Sequence, residues 1–259
     1  MAFDRKLGKS FKKVGASYQV GRKDYPKKLI EDIIKISNMT EDSLVLDVGC
    51  GTGKSIIPFA KTRSKLIGID ISKNMLKIAR KLSSKHKNVS YKRISFEKFV
   101  SSPNSFDLIL MGTAIHWLDS KIVYKKANRF LKKDGYLALF WEPVVSLCKA
   151  IRLFGMEELF LKNCPNYPKI PASINIPKNR ADKIMQSNFF AKPIIKKYKF
   201  IQKYSRDEFL ALINTYSWVI SLKNKDRDNL MQEVKIYFAK KDNALKFPTE
   251  MCLIMAKRK

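Results

Sequence analysis

The sequence has no run of about 18 apolar residues, so no membrane-spanning helix is expected of it. Its four cysteines, Cys50, Cys148, Cys164 and Cys252, are scattered and form no CxxC pair. That excludes the spacing of a zinc site and of a disulfide framework, and fits a reducing, cytoplasmic setting. Two histidines, His86 and His116, are too few for most His-rich metal sites, so no metal is expected. The opening MAFDRKLGKSFKK is charged without an apolar stretch behind it, unlike a secretory signal. Acidic residues are also scarce. Only 23 Asp and Glu stand against 52 Lys and Arg, a formal charge of +29.

Such a charge suits a polyanionic partner, because Lys and Arg neutralise phosphates. The lysines, however, are spread along the chain, as in KKLI, RKLSSKHK, YKKANRFLKK, IIKKYKF and FAKK. A dedicated site concentrates charge and uses Arg for bidentate contacts. Compositional habit is therefore preferred over nucleic-acid binding, although sticking to polyanions at low salt is expected either way.

What is present is enough for one sizeable core: 259 residues, 45% hydrophobic. Residues 1–42 read as helical in pieces. In YPKKLIEDIIKIS the residues Leu29, Ile30, Ile33, Ile34 and Ile36 fall largely on one stripe, with Pro26 near the start. Residues 44–48 read as an apolar strand, and 53–62 as a helix that Pro58 complicates. KLIGID is a second strand ending on Asp70. SKNMLKIARKLSSKH is a helix capped by Ser72, with Met75, Leu76, Ala79 and Leu82 on one face. VSYKRI and FDLILMG follow as strands, then the helix KIVYKKANRFLKKDG with Gly135 placed to end it, then the strand YLALFW. Alternating strands and helices mean a parallel sheet covered on both sides. After Trp141 the rhythm breaks into helical stretches and a proline-dotted loop. A strand (KPIIKKYKFIQ), two helices and a final strand (EMCLIMAKR) close the chain. The expected organisation is a single α/β domain. It comprises an N-terminal helical cap (1–42), a core (43–144), a helical insertion (about 145–190) and the C-terminal part of the sheet (191–259).

The chemistry concentrates in LVLDVGCGTGKS, residues 44–55. A parallel sheet binds ligands beyond the carboxyl ends of its strands. Glycines in the first strand-to-helix turn let the backbone approach the ligand, since a Cβ would collide. Gly49, Gly51 and Gly53 have G-x-G-x-G spacing, and Lys54 stands where a dinucleotide fold has its third glycine. Asp47 precedes the loop and can accept from its N–H groups or meet a cationic ligand group. Asp70, roughly 20 residues on, ends the second strand, where an acid can hold ribose hydroxyls.

VLDVGCGTG followed by LIGIDIS resembles motif I and its successor in class I S-adenosylmethionine-dependent methyltransferases. AIHWLD is similar to the A-x-H-W segment of their small-molecule branch, the type 11, trans-aconitate methyltransferase-like proteins. YQVGRKDYPKKLI resembles that branch's Y-x-x-x-R-x-x-Y-P entry segment, and YSRDEFLALINTYSWV its C-terminal helix. The resemblance covers most of the chain apart from about residues 145–190. It implies a Rossmann-like, mostly parallel seven-stranded sheet with helices on both faces. A helical insertion, or lid, would precede the last strands and contribute to the acceptor pocket.

The resemblance also implies roles. Asp47, Gly49, Cys50, Gly51 and Gly53 would surround the methionine part of S-adenosylmethionine. Asp70 would bind both ribose hydroxyls, with Ile71 beside the adenine and Met75 nearby. Ser95, Phe96 and Glu97 stand where the family encloses the adenine, although the family usually has a small residue at the Phe96 position. Thr113, Ala114, His116 and Trp117 would lie between cofactor and acceptor. Tyr18 and Arg22 would close the pocket, with Arg22 on the cofactor carboxylate or an acidic acceptor. Asp47 has a plainer reading as a turn cap, Cys50 as a small filler, Phe96 as core and Trp117 as packing. His116 is the candidate catalytic base, or else a positioning or structural residue.

The expected activity is methylation of a small molecule, with a carboxylic acid as one acceptor class. A carboxylate needs no base because it is ionised near neutral pH. A hydroxyl or carbon acceptor would gain from one. The alternatives are an RNA methyltransferase, motivated by the charge, and a cofactor-binding protein without turnover. Against the first, GTAIHW lacks the N/D-P-P-Y/F run typical of amino-group methylation of bases, and no Pro-Cys pair occurs. No membrane partner is expected, and the oligomeric state is open.

Overall fold

The computed structural model describes residues 14–168, 176–239 and 244–259. The segment compared above with a secretory signal, 1–13, and residues 169–175 of the proline-dotted loop lie outside the described residues.

Five strands run parallel: β1 (Leu44–Val48), β2 (Lys65–Asp70), β3 (Val89–Arg93), β4 (Phe106–Gly112) and β5 (Leu131–Trp141). Two more complete the sheet, β6 (Ile194–Ser205) and β7 (Ala244–Lys257). β7 is antiparallel to both β5 and β6. The order is β3-β2-β1-β4-β5-β7-β6, the mostly parallel arrangement that was expected. β7 pairs with β5 only from Cys252 onward, so Ala244–Met251 and the matching half of β6 form a two-stranded ribbon beyond the end of β5.

The strands are apolar on both faces because helices cover both. On one face Ile109 and Met111 pack with Tyr124 and Ala127 of α4 (Ser120–Phe130) and with Ala181 and Ile184 of α7 (Ile176–Gln186). On the other, Leu108 and Leu110 meet Leu29, Ile30 and Ile33 of α2 (Lys27–Ile36). Buried Asp32 fixes α2 to β6 by accepting from Lys196 at 3.0 Å and Tyr198 at 2.8 Å. A further core sits under the ribbon. Tyr204 and Phe247 stack there at 5.6 Å, among Ile151 of α5 (Val144–Leu153) and Phe160 of α6 (Glu157–Asn163). Phe209 of α8 (Arg206–Ile213), Val219 of α9 (Ser217–Ile220) and Val234 of α10 (Asn224–Ala239) complete it. Among the described residues two further α-helices are α1 (Gly15–Gly21) and α3 (Lys73–Leu82).

Several local expectations change. The helix expected over 53–62 is a run of turns followed by a 3₁₀ segment, Ile57–Thr62, which the left-handed Arg63 ends. Pro58 would lie inside a helix over 53–62 and has no N–H to donate to the Lys54 carbonyl, whereas it suits the start of the 3₁₀ segment. Gly135 does not end α4. The helix stops at Phe130, and Leu131, already extended, pairs with Phe106. Residues 132–135 then bulge out of register, with Asp134 at φ +69°. Leu82, placed on the buried face of α3, is 44% exposed. The stretch SLCKAIRLFGMEELFLKN is two helices, broken where Gly155 takes φ +71°.

Candidate active site

The chain leaves β1 through a loop in which Gly49, Gly51 and Gly53 take φ of +72°, +53° and +89°. L side chains rarely adopt these values, and at Gly49 a Cβ would also stand 2.8 Å from the Cβ of Ala114. The loop therefore rests backbone-first against the end of β4. Asp70, at the end of β2, accepts from the N–H groups of Gly51 at 3.0 Å and Ser72 at 2.7 Å. Ser72 in turn caps α3 through Met75. The acid thus organises the loop and the following helix together.

Asp47 is fully buried at the end of β1. The Ser55 hydroxyl donates to one carboxylate oxygen, and the other has no partner. Burial is the main cause that pushes its pKa up to about 7. The Ser55 bond opposes this and the charge of Asp70 adds to it. A buried carboxylate oxygen without a donor is costly, and a cationic or N–H-bearing ligand relieves it.

Thr113, just past β4, holds φ +54°, unfavourable for a β-branched residue. Its N–H donates to Phe140 at 2.8 Å, and its hydroxyl lies 3.0 Å from that of Tyr25. His116 and Trp117 follow in a 3₁₀ turn with ring centroids 4.7 Å apart.

The N-terminal segment closes over this edge. Gly21 ends α1 against α8, and the Arg22 Nε donates to Thr215 at 2.8 Å. The Arg22 guanidinium lies 4.1 Å from the Tyr216 ring centroid and 5.9 Å from that of Tyr18. The entry segment and the TYSW segment, far apart in sequence, are therefore one structural unit.

Tyr18, Arg22, Tyr25, Asp70, His116 and Glu142 share an unusual setting. Burial is the largest influence on the ionisation of each, yet each keeps accessible surface. Tyr18, Arg22, Tyr25 and Glu142 wall a recess at the carboxyl ends of β4 and β5, with Thr113 beside them. His116, just past β4, keeps an exposed side chain; desolvation by the groups around it, then the charges of Arg180 and Arg22, push it down to about 4.

Residues 46–139 match the family described as a methyltransferase domain. Over these residues the chain is similar to S-adenosylmethionine-dependent methyltransferases. It is 34% identical over 139 residues to the Saccharomyces cerevisiae protein named "Probable S-adenosylmethionine-dependent methyltransferase CRG1". That match spans 52% of this chain and 46% of the relative, under half of its length. It is 25% identical over 236 residues to a Schizosaccharomyces pombe protein, the uncharacterized methyltransferase C25B8.09, covering 88% of this chain and 86% of that one. In structure it is similar to YcgJ from Bacillus subtilis. The TM-score is 0.56 at 18% identity, over 90% of this chain and 99% of that chain. This likeness shows the fold.

The matched region brings Asp47, the three loop glycines, Asp70, Thr113 and His116 to one edge, with Tyr18 and Arg22 above them. Ile71 stands 38% exposed beside Asp70. Other expected site residues are placed differently. The Cys50 side chain is buried against β2, where a Cβ at Gly68 would meet its Sγ at 2.8 Å. Burial holds its thiol well above the ordinary pKa, so only its backbone faces the loop. Phe96 is 2% exposed and packs edge-on to Phe130 at 6.3 Å, in the core. Met75 is buried, with its sulfur beside Gly15 of α1. Ser95 and Glu97 flank Phe96 half-buried, and the Glu97 carbonyl accepts from Lys126 at 2.8 Å.

Sequence reasoning missed Tyr25, Glu142, Arg180 and Gln202. Glu142 carried a readable signal, since it follows β5 just as Asp70 ends β2. Gln202 did too: it interrupts the apolar alternation Tyr198, Phe200, Tyr204 on the inward side of β6. Arg180 lies on α7, and nothing in its local sequence marks it. Among the described residues no cluster of metal-ligating side chains occurs, and no helix is long and apolar enough to cross a membrane.

Proposed function

We propose that the recess binds S-adenosylmethionine across β2, β1 and β4 and methylates a small carboxylic acid. The unpartnered, fully buried carboxylate oxygen of Asp47 carries the cofactor half of this reading. It supplies a negative, desolvated acceptor beneath a backbone-only loop, which fits a ligand that is cationic and needs close approach. Asp70 is placed to take two ribose hydroxyls, exchanging the loop N–H bonds it now accepts. Ile71 offers exposed apolar surface beside it for the base. Ser95 and Glu97 border the same end, and Phe96 supports them from the core.

When bound, the cofactor supplies a methyl group on a cationic sulfonium, transferred by in-line displacement to leave S-adenosylhomocysteine. The chain's own residues position the acceptor and exclude water, which is most of what such a displacement needs. Support for an acidic acceptor comes from His116. Desolvation holds it neutral at neutral pH, and two guanidinium charges, Arg180 and Arg22, reach it and add to this. An anion in that field is favoured, and a carboxylate nucleophile has no proton to lose. His116 then positions rather than deprotonates, with Trp117 as the wall behind it. Methylation of RNA is the less supported reading, since the lysines are spread along the chain rather than gathered into one stripe.

The test is methyl transfer from isotopically labelled S-adenosylmethionine to a panel of carboxylic acids, with alcohols, amines and RNA beside them. Labelled ester formed from acids is expected. Label retained in RNA at physiological salt, with none in acids, would overturn the acceptor assignment.

A further inference from the structure

The recess beside β4 and β5 contains polar groups that the cofactor does not account for. Glu142 stands there, immediately after Trp141 of β5. It lines the same cavity as Arg22, Tyr25 and Thr113, and Gln202 and Met251 close that cavity from the ribbon. Among the described residues Glu142 makes no ion pair and no hydrogen bond, although the charge of Arg22 reaches it. Arg22 is held back by Thr215 and Tyr216. Arg22 and Glu142 thus share one cavity and do not collapse onto each other, while Lys23 and Lys54, which also line it, are paired with Glu208 and Asp24. Gln202 adds to this. It is 6% exposed, and its Oε1 has no partner. A buried amide oxygen left without a donor is a standing cost that a ligand donor would remove.

Position separates this subsite from the cofactor. With ribose at Asp70 on β2, the sulfonium lies one methylene from the sugar and reaches over β1 and β4. Glu142 ends β5, three strand spacings or about 14 Å from β2. Gln202 lies further still, on the ribbon. These two side chains therefore face whatever lies beyond the methyl group. Burial lifts Glu142 to about 6 against the opposing charge of Arg22, so it is ionised at neutral pH and able only to accept.

We propose that the acceptor is a carboxylic acid carrying a hydroxyl or ammonium group. Its carboxylate lies on the Arg22 side of the cavity and its donor group on Glu142 and Gln202, which act as specificity-determining residues. This rests on the carboxylate reading above and adds the second recognition point.

The experiment uses the full chain saturated with S-adenosylhomocysteine. Butanoate and octanoate, their 3-hydroxy and terminal amino counterparts, and the matching alkanols are titrated calorimetrically. Transfer from labelled S-adenosylmethionine to the same compounds follows. Hydroxy or amino acids should bind and react at least about tenfold better than the plain acids, the value of one charge-assisted hydrogen bond. Glu142→Leu and Gln202→Leu should remove that preference while affinity for S-adenosylhomocysteine stays within about twofold of wild type. Should Glu142→Leu unfold, Glu142→Gln carries the test: it should lose the preference for amino acids and keep that for hydroxy acids. Plain acids responding as well as substituted ones would leave the carboxylate reading standing and overturn this one. A response to alkanols alone would overturn both. No differential binding by any compound, or a loss of S-adenosylhomocysteine affinity in the folded variants, would also overturn the subsite.

Discussion

Gly21 and Leu212 touch backbone to backbone: a Cβ built on Gly21 would stand 2.2 Å from the Leu212 nitrogen. This contact seats α1 on α8 and, through it, brings Tyr18 and Arg22 over the recess. Gly21→Ala should therefore cost about 1–3 kcal/mol of stability by forcing the two helices apart. It should also weaken S-adenosylhomocysteine binding in protein that remains folded. Chemical denaturation and calorimetry read the two effects separately. Unchanged values for both would mean the entry segment adjusts freely.

Asp70 should matter more to binding than to folding. Asp70→Asn is expected to lower S-adenosylhomocysteine affinity by about 10- to 100-fold, the value of hydrogen bonds to a charged group. Calorimetric titration checks it, and circular dichroism checks that the loop, which donates to Asp70, has not unravelled.

Asp47 predicts two pH dependences of opposite sign. Its folded pKa, about 7, lies above the unfolded value near 3.8, so the folded state holds the proton more tightly. Its contribution to stability is full below about 4 and is lost as pH rises through about 7. Without cofactor, the stability of wild type relative to Asp47→Asn should decline across that window. Binding of the cationic cofactor favours the ionised carboxylate, so wild-type affinity should rise over the same window. Asp47→Asn should flatten that rise. Thermal melts and titrations from pH 4 to 8 compare the two proteins.

His116 should not behave as a base at physiological pH. Held near 4, it is already neutral, so kcat/KM should show no limb assignable to it above about pH 5. His116→Gln should reduce activity by about tenfold or less and leave the pH profile unchanged. A profile limb near 6.5 that vanishes in this variant would make it the proton acceptor instead.

Much of this was legible in the sequence for physical reasons. β2 and β4 are short apolar runs ending in Asp70 and Gly112, and their length and flanking turn residues place them. The loop glycines announce positive φ because no other residue takes it so readily. Ser72 marks a helix start that the structure confirms. Less was legible where tertiary contact overrode local preference. Gly135 looks like a helix stop, but pairing of Leu131 with Phe106 ends α4 earlier. Phe96 aligns with a site position, yet its ring is drawn into the cluster with Phe130. The Arg22 contact with Thr215 spans 193 residues, and no local pattern encodes it. Gln202 became a site residue only because the ribbon reaches past β5.

The most direct test of the central claim is calorimetric titration of the purified protein with S-adenosylmethionine and S-adenosylhomocysteine, with NADH as control. The account predicts saturable binding of both, none of NADH, and a marked loss in Asp70→Asn. Absence of binding by demonstrably folded protein, or equal binding of NADH, would contradict it.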